Sequence, residues 1–412
     1  MKNVIVIGAG IVGLSVSKAL LDKGYQVTLL DENQPGSGTS SGNAGLIANY
    51  ATTPLSNSDS LCSMLKEMLR KKRALSIAPH YLPELTSFSH TFLRATGNEA
   101  FTKNKKILVE LVARGSLLQQ QLLKNIGSNK LYQTKGCLQI YRQDSTIGSQ
   151  LEKLAAAKQL DGVQCEALDR DALLKLEPGL NPQGLEGGLW YPDTWSLRNP
   201  QQLSTQLYEQ LLKQGLSYQQ LSVDAIKQSG DKVLVRTSKQ ELVADTVVLC
   251  AGMGNQQLLA SLKVKLPVVS ERGYHLMLND NDLVLNRPVG WLERYFYATP
   301  MNHGIRIAGT TQFARPTAPA AQDRYLHMQE WAESLFGRPV SVASRWMGVR
   351  HSTPDSLPVI GPLPDNKRVI LAFGHGHLGM TLAALTGQLV ADCLSNLQPN
   401  ELATALSPAR FL

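Results

Sequence analysis

Residues 3–13 read NVIVIGAGIVG, and few features restrict a fold so far. A short β-branched run meets Gly8, Gly10 and Gly13 in the spacing G-x-G-x-x-G. A helical stretch from Leu14 to Lys23 follows and stops at Gly24. The run NVIVI has the continuous apolar character of a strand buried in a parallel sheet. The first glycine permits a tight turn, the second lets backbone approach a pyrophosphate, and the third allows close helix–strand packing. The helix start then presents free N–H groups and a positive dipole to phosphate. YQVTLLD, residues 25–31, reads as a second strand, so the N-terminus is a βαβ unit. Asp31 ends that strand about twenty residues after the glycines, where an acid accepts hydrogen bonds from an adenosine ribose. A carboxylate there repels a 2′-phosphate and disfavours NADP. Glu32 is the alternative acid.

NAD and FAD both fit this fingerprint, and two later stretches separate them. Gly38-Thr39-Ser40-Ser41-Gly42-Asn43-Ala44-Gly45 offers consecutive backbone N–H groups and small hydroxyls, past which a ribityl chain and second phosphate can run. Asn43 can both donate and accept hydrogen bonds. Gly374-His375-Gly376-His377-Leu378-Gly379 joins a strand, RVILAF, to a helix from Met380 to about Leu394. That helix start would stabilise negative charge at the pyrimidine edge of a reduced flavin.

Between these ends the patterns alternate. Helical spacing covers residues 61–75, 104–126, 199–214 and 322–336; β-type runs include GCLQIY, SYQQLSVDAI, DKVLVRT, ELVADTVVLCAG, VVSERGYHLML, YFYATP and GIRIAGTT. Nucleotide-type βα features at both ends imply an α/β protein with a discontinuous Rossmann-like cofactor domain. An α+β substrate domain built on a mixed β-sheet is inserted into it. The expected cofactor domain is residues 1–50, 193–262 and 346–412, and the substrate or cap domain is 51–192 and 263–345.

The stretch GVRHSTPDSLPVIG, residues 348–361, contains one fixed cation, Arg350, beside His351. An arginine binds a carboxylate in a two-bond fork. Tyr274, His275, Tyr295 and Tyr297 lie on β-type runs, where they could line a side-chain pocket or bond the carboxylate. Arg272 and Arg294 are further carboxylate candidates. Asp355 is the acid nearest Arg350 in sequence. No Ser–His or His–Asp pair stands out.

Several of these pieces resemble the FAD-dependent amine oxidoreductases that include D-amino-acid dehydrogenase, glycine oxidase and sarcosine oxidase. The resemblance is carried by VIGAGIVGLS with Asp31, GTSSGNAG, VVLCAG, RGYHLML, GVRHSTPDSLPVIG and GHGHLGMT. SGNAG and GHGHLGMTLAALTGQLVAD are most similar to the D-amino-acid dehydrogenases. ERGYHLML is similar to members acting on proline-like D-amino acids. The family turn G-x-R-P-x-T-P-D-G-x-P has proline where this chain has His351, and glycine where it has Ser356.

The resemblance implies amino-acid catabolism: oxidation of a D-amino acid or proline-like secondary amino acid to the imino or 2-oxo acid by hydride transfer to flavin. A quinone or other acceptor then takes the electrons. The alternatives are a glycine- or sarcosine-type oxidase and a 2-hydroxy-acid oxidoreductase. Arg350, Tyr274, His351, His275 and Tyr297 are the expected catalytic residues. The expected FAD contacts are Gly8, Gly10, Ile11, Val12, Gly13, Asp31, Glu32, Thr39, Ser40, Asn43, Ala44, Gly45, Val223, Ala251, Gly252, Gly376, His377, Leu378, Gly379, Met380 and Thr381. Some relatives attach flavin through a histidine in the small-residue loop, where this chain has Asn43, or through a cysteine before the final strand. No cysteine lies between 251 and 392. Non-covalent FAD is therefore expected.

Composition adds partners. Formal net charge is +8 over 412 residues, which favours anionic partners. No aromatic–basic platform points to nucleic acid. The five cysteines are scattered without a C-x-x-C, which fits a reducing compartment and no metal site. Residues 61–75, LCSMLKEMLRKKRAL, combine an apolar stripe with five basic side chains, the pattern of a helix lying in a lipid interface. A cytoplasmic protein, peripheral on the inner face of the cytoplasmic membrane, is the expectation.

Overall fold

The computed structural model describes residues 2–57, 74–127, 130–142, 150–279, 282–395 and 400–412. The basic amphipathic stretch 61–75 lies outside them apart from its last two residues.

Two large sheets dominate. The first has six strands in the order Ser217–Gln220, Gln26–Asp31, Asn3–Ile7, Thr246–Leu249, Asn366–Phe373 and Val359–Leu363. Its pairings are parallel except the last, which is antiparallel. Alternation along Asn3–Ile7 sends Val4 and Val6 to one face, Ile5 and Ile7 to the other. Val4 and Val6 join Leu14, Leu385 and Leu389 under the helices Ile11–Asp22 and Gly379–Leu394. Ile5 and Ile7 pack with Ile226, Val233 and Val235 of an antiparallel three-stranded meander, Val223–Ser229, Lys232–Thr237 and Glu241–Ala244. Both faces are covered, which is why NVIVI carries no polar alternation.

The second sheet has nine strands. Val342–Ser352, Val269–Leu278, Gly304–Phe313 and Phe296–Met301 form its antiparallel half. Leu276, Leu278, Ile305 and Ile307 face the helix Gln322–Phe336 through Met328, Trp331 and Leu335. The opposite face carries Glu271, Gly273 and His275 and turns toward the first sheet.

Two segments cross the boundaries expected from sequence. Residues 346–352 continue the strand that begins at Val342 and hydrogen-bond along the large sheet. The long helix Asn98–Ile126 packs on Gly379–Leu394 of the dinucleotide-type unit, with Gly115 against Leu382. Strand hydrogen bonding and helix packing decide these placements. Ser356 adopts φ 65°, a left-handed conformation in which glycine is unstrained, and its hydroxyl accepts from Leu55 N–H at 2.9 Å. Among the described residues, no helix is long and apolar enough to cross a membrane.

The helices of the first sheet touch at Gly387, where a Cβ would stand 2.4 Å from the Ser15 carbonyl oxygen. Gly387→Ala should therefore force the helices apart at about 1–3 kcal/mol. Differential scanning calorimetry should show a Tm several degrees lower; an unchanged Tm would contradict this packing.

Candidate active site

A cavity of about 1460 Å³ runs between the two sheets. One end begins at the glycine turn. Gly8 has φ 105°, and a Cβ there would lie 2.5 Å from the Cys250 carbonyl. A Cβ on Gly13 would lie 1.8 Å from Gly8 O. Only glycine permits this crossing of strand and helix. Gly10 caps the helix in extended conformation with no side-chain cap. Asp31 accepts from Ala9 N–H at 2.7 Å and Asn33 N–H at 2.8 Å. Each carboxylate oxygen keeps a lone pair for a ribose hydroxyl. Glu32 lines the cavity, its carboxylate accepting from Asn33 Nδ2 at 3.4 Å and its backbone carbonyl from Gln220 Nε2 at 3.0 Å. Val223, Ala251 and Gly252 line the same end.

The small-residue loop forms the middle of the wall. Ser40 Oγ accepts from Ile11 N–H at 3.0 Å, and Thr39 Oγ1 donates to Val349 O at 2.9 Å. Asn43 Oδ1 accepts from Gly45 N–H at 2.7 Å. Arg306 donates to the Ser41 and Asn43 carbonyls at 2.9 and 2.6 Å. Burial lowers its pKa to about 10. Trp346 fills the space at Gly42, where a Cβ would stand 2.2 Å from the indole. Arg306 and Trp346 were not among the residues expected from sequence. Alternation along Gly304–Phe313 was the available signal, since Ile305 and Ile307 are core and Arg306 is not.

The C-terminal turn closes the site. Gly374 and Gly376 have φ 79° and 52°. The helix Gly379–Leu394 starts there with no side-chain cap, and Gly376, His377, Gly379 and Met380 line the cavity. His377 opens onto the cavity. Desolvation and Arg350 lower its pKa, with Glu271 opposing. Gly13, Gly45, Leu378 and Thr381 are not on the wall; Thr381 Oγ1 instead accepts from Ala48 N–H at 2.9 Å.

Arg350 reaches the far end. Its Nη2 donates to Glu271 Oε1 at 2.7 Å, and its Nε is buried without a partner among the described residues. The guanidinium lies across Gly273, where a Cβ would meet Cζ at 3.2 Å. Asp355 is turned away and pairs with Arg410 at 2.7 Å. Tyr297 lines the same region over Gly290, and its hydroxyl accepts from Gln139 Nε2 at 2.8 Å. Tyr50 stacks beside it, ring centroids 6.3 Å apart.

The other expected catalytic residues are placed differently. His275 does not line the cavity. Its Nδ1 lies 3.2 Å from Gly42 O and its ring stacks on Trp346. Burial lowers its pKa to about 3, with a further push from Arg306 and a small opposing bond from Gly42. It supports the loop as a neutral ring. Tyr274 touches the cavity, but its hydroxyl donates to Gln312 Oε1 at 2.6 Å and accepts from Ala321 N–H at 3.3 Å. Arg272 is committed to Gln312 and the Ala318 carbonyl. Arg294 lies over the Trp291 ring, and Tyr295 borders the cavity. His351 lines the cavity beside Phe373 with neither ring nitrogen bonded among the described residues, and burial lowers its pKa to about 4.

The glycine cradle, the helix starts at Ile11 and Gly379 and the acid at the strand end suit a dinucleotide. Comparisons with known proteins agree. Residues 3–393 match the family described as FAD dependent oxidoreductase. The chain is 30% identical to the D-amino-acid oxidase of Bradyrhizobium diazoefficiens over 424 residues, covering 100% of this chain and 99% of that one. It is 30% identical to a D-amino acid dehydrogenase of Vibrio cholerae, covering 96% of each. Glycine oxidase from Geobacillus kaustophilus shares the fold at a TM-score of 0.79, with 19% identity and 100% of both chains covered.

Two outcomes test the assignment of the acid. Asp31→Ala should yield protein largely without bound flavin, because Ala9 N–H and the ribose lose their acceptor. Glu32→Ala should retain its yellow colour. Equal flavin content in the two purified variants, read by absorbance, would contradict it.

Proposed function

The chain belongs to the DAO family of FAD dependent oxidoreductases, and from that membership we propose that it oxidises a D-amino acid, or a proline-like secondary amino acid, to the imino acid, which hydrolyses to the 2-oxo acid. The observation that carries this reading is the Arg350 guanidinium on the cavity wall, held at Nη2 by Glu271 and still partly exposed to the cavity. Bound FAD supplies the acceptor for two electrons and the α-hydrogen.

The chain's own groups orient the substrate. The Arg350 fork holds the α-carboxylate, and Tyr297 and Tyr50 form the wall across the sheet. Gly273 and Gly348 leave room on the sheet for the Arg350 guanidinium and the Trp346 indole, which lie across them. No strong base is required, since the amine has only to be neutral when hydride leaves the α-carbon; orientation then dominates the rate. His377 and the helix start at Gly379 provide hydrogen-bond donors and positive dipole where negative charge would gather. The names of the curated relatives support the D configuration.

The division of labour in this reading follows the two sheets, cofactor on the first and substrate on the second. Electrons pass to a quinone or another acceptor, and the basic stretch 61–75 contacts the membrane surface. The flavin is held without a covalent bond.

Anaerobic titration with L- and D-amino acids, proline, hydroxyproline, glycine, sarcosine and lactate tests the substrate class. A D-amino acid should bleach the flavin at the lowest concentration; bleaching by lactate alone would overturn the reading. Arg350→Ala should keep FAD but raise KM at least tenfold, since a charge-assisted fork contributes about 1.5–3 kcal/mol. Unchanged kinetics in the flavin-replete variant would refute the role of Arg350. After denaturation the chain should carry no flavin fluorescence on a gel. Anionic liposomes should sediment the protein at low salt and release it at high salt; absence of binding at low salt would remove the membrane contact.

A further inference from the structure

Glu271 is a buried acid inside the site that no step above uses. It lies directly opposite Arg350 in the strand register, so both side chains share the cavity face. Its Oε1 takes Arg350 Nη2 at 2.7 Å and Thr311 Oγ1 at 3.1 Å; its Oε2 takes the Ser352 hydroxyl. A bulge helps to build this cluster. The pairing of Val269–Leu278 with Gly304–Phe313 shifts between Gly273 and Tyr274, opposite Thr310 at φ 54°. Bulges re-aim neighbouring side chains, and here Thr311 is turned onto Glu271.

The charged and titratable groups facing Glu271 are Arg350 and His377. Burial alone would raise the Glu271 pKa. Arg350, Ser352, His377 and Thr311 together outweigh burial and hold it below the ordinary carboxylate value. Three of its four acceptor positions are occupied, so it serves the guanidinium more than any ligand.

We propose that Glu271 is a resident counter-anion that makes the Arg350 site select carboxylates bearing an amine over carboxylates without one. The proposal rests on the reading of Arg350 as the carboxylate anchor. Arg350 and Glu271 together carry no net charge. A monoanion entering beside them leaves one cation between two anions. An amino-acid zwitterion brings its own cation and keeps the cluster neutral. Two carboxylates on one guanidinium stand about 6 Å apart, and at an effective dielectric near 20 their repulsion is worth about a hundredfold in a binding constant, of which ionic screening leaves about tenfold or more. The site thereby separates amino acids from 2-hydroxy acids, which the arginine alone cannot do.

The test uses the flavin-loaded enzyme and Glu271→Gln, Glu271→Asp and Arg350→Ala. Benzoate, a monoanion, is titrated by its perturbation of flavin absorbance. The Kd of the bleaching amino acid comes from the concentration dependence of anaerobic flavin reduction. Gln keeps an acceptor for Arg350 while removing the charge. Benzoate should bind about tenfold tighter to Glu271→Gln, with the amino-acid Kd moving far less. Glu271→Asp should keep the wild-type ratio. An unchanged ratio in Glu271→Gln overturns the proposal while leaving the anchor reading intact. Arg350→Ala that weakens neither ligand overturns both. Should Glu271→Gln lose flavin, the wild-type enzyme decides with alanine and lactate. Alanine should bind at least about tenfold tighter, and equal affinities overturn the proposal.

Discussion

The hydrogen bonds along Val342–Ser352 hold the two halves of the cavity in register. This strand pairs with Val269–Leu278 over its whole length, and its last residue bridges to His375 in the turn of the first sheet. Arg350, Glu271 and Gly273 stand where these connections meet. The loop 36–45 depends on the same strand, since Thr39 bonds Val349 O and Trp346 fills the space at Gly42. A shift of one residue in this pairing would reverse every side chain and send Arg350 into the core.

Absent side chains shape the site as much as present ones. Gly8 and Gly13 let the first strand and helix cross, Gly42 accepts Trp346, and Gly273 and Gly290 carry the Arg350 and Tyr297 side chains across their backbones. Two of the polar side chains that remain are fixed by several bonds each. Arg306 spans two carbonyls of the loop, and Glu271 collects three donors. Such a wall enters the reaction already ordered, so little orientation has to be gained when substrate binds.

Much of this was legible in the chain. The run NVIVIGAGIVG and Asp31 announced the dinucleotide site, because that turn requires particular glycines close together in sequence. The helix Gln322–Phe336 and the strand Val269–Leu278 follow the apolar spacing closely. Arg350 stood out as the one fixed cation of residues 348–361, and the resemblance to a family turn pointed to the same residue. The partner of Arg350 was not found. Asp355, five residues away, was the natural candidate, but it serves Arg410 near the C-terminus. His275 and Tyr274 looked catalytic on a strand of the substrate domain, yet one holds the loop and the other bonds Gln312.

The sequence by itself determined many of the elements and the glycine turn, since local periodicity and obligatory glycines act over a few residues; SYQQLSVDAI and ELVADTVVLCAG, each read as one run, divide into two strands apiece. It also settled which residues on a strand share a face, because side chains alternate with period two. Only the tertiary structure decided which face meets the cavity and what stands opposite. Glu271 meets Arg350 across 79 residues of chain through sheet register. Arg306 reaches a loop 263 residues away. Such contacts depend on where distant strands pair and bulge, and no local pattern encodes the charge that Arg350 finds beside it.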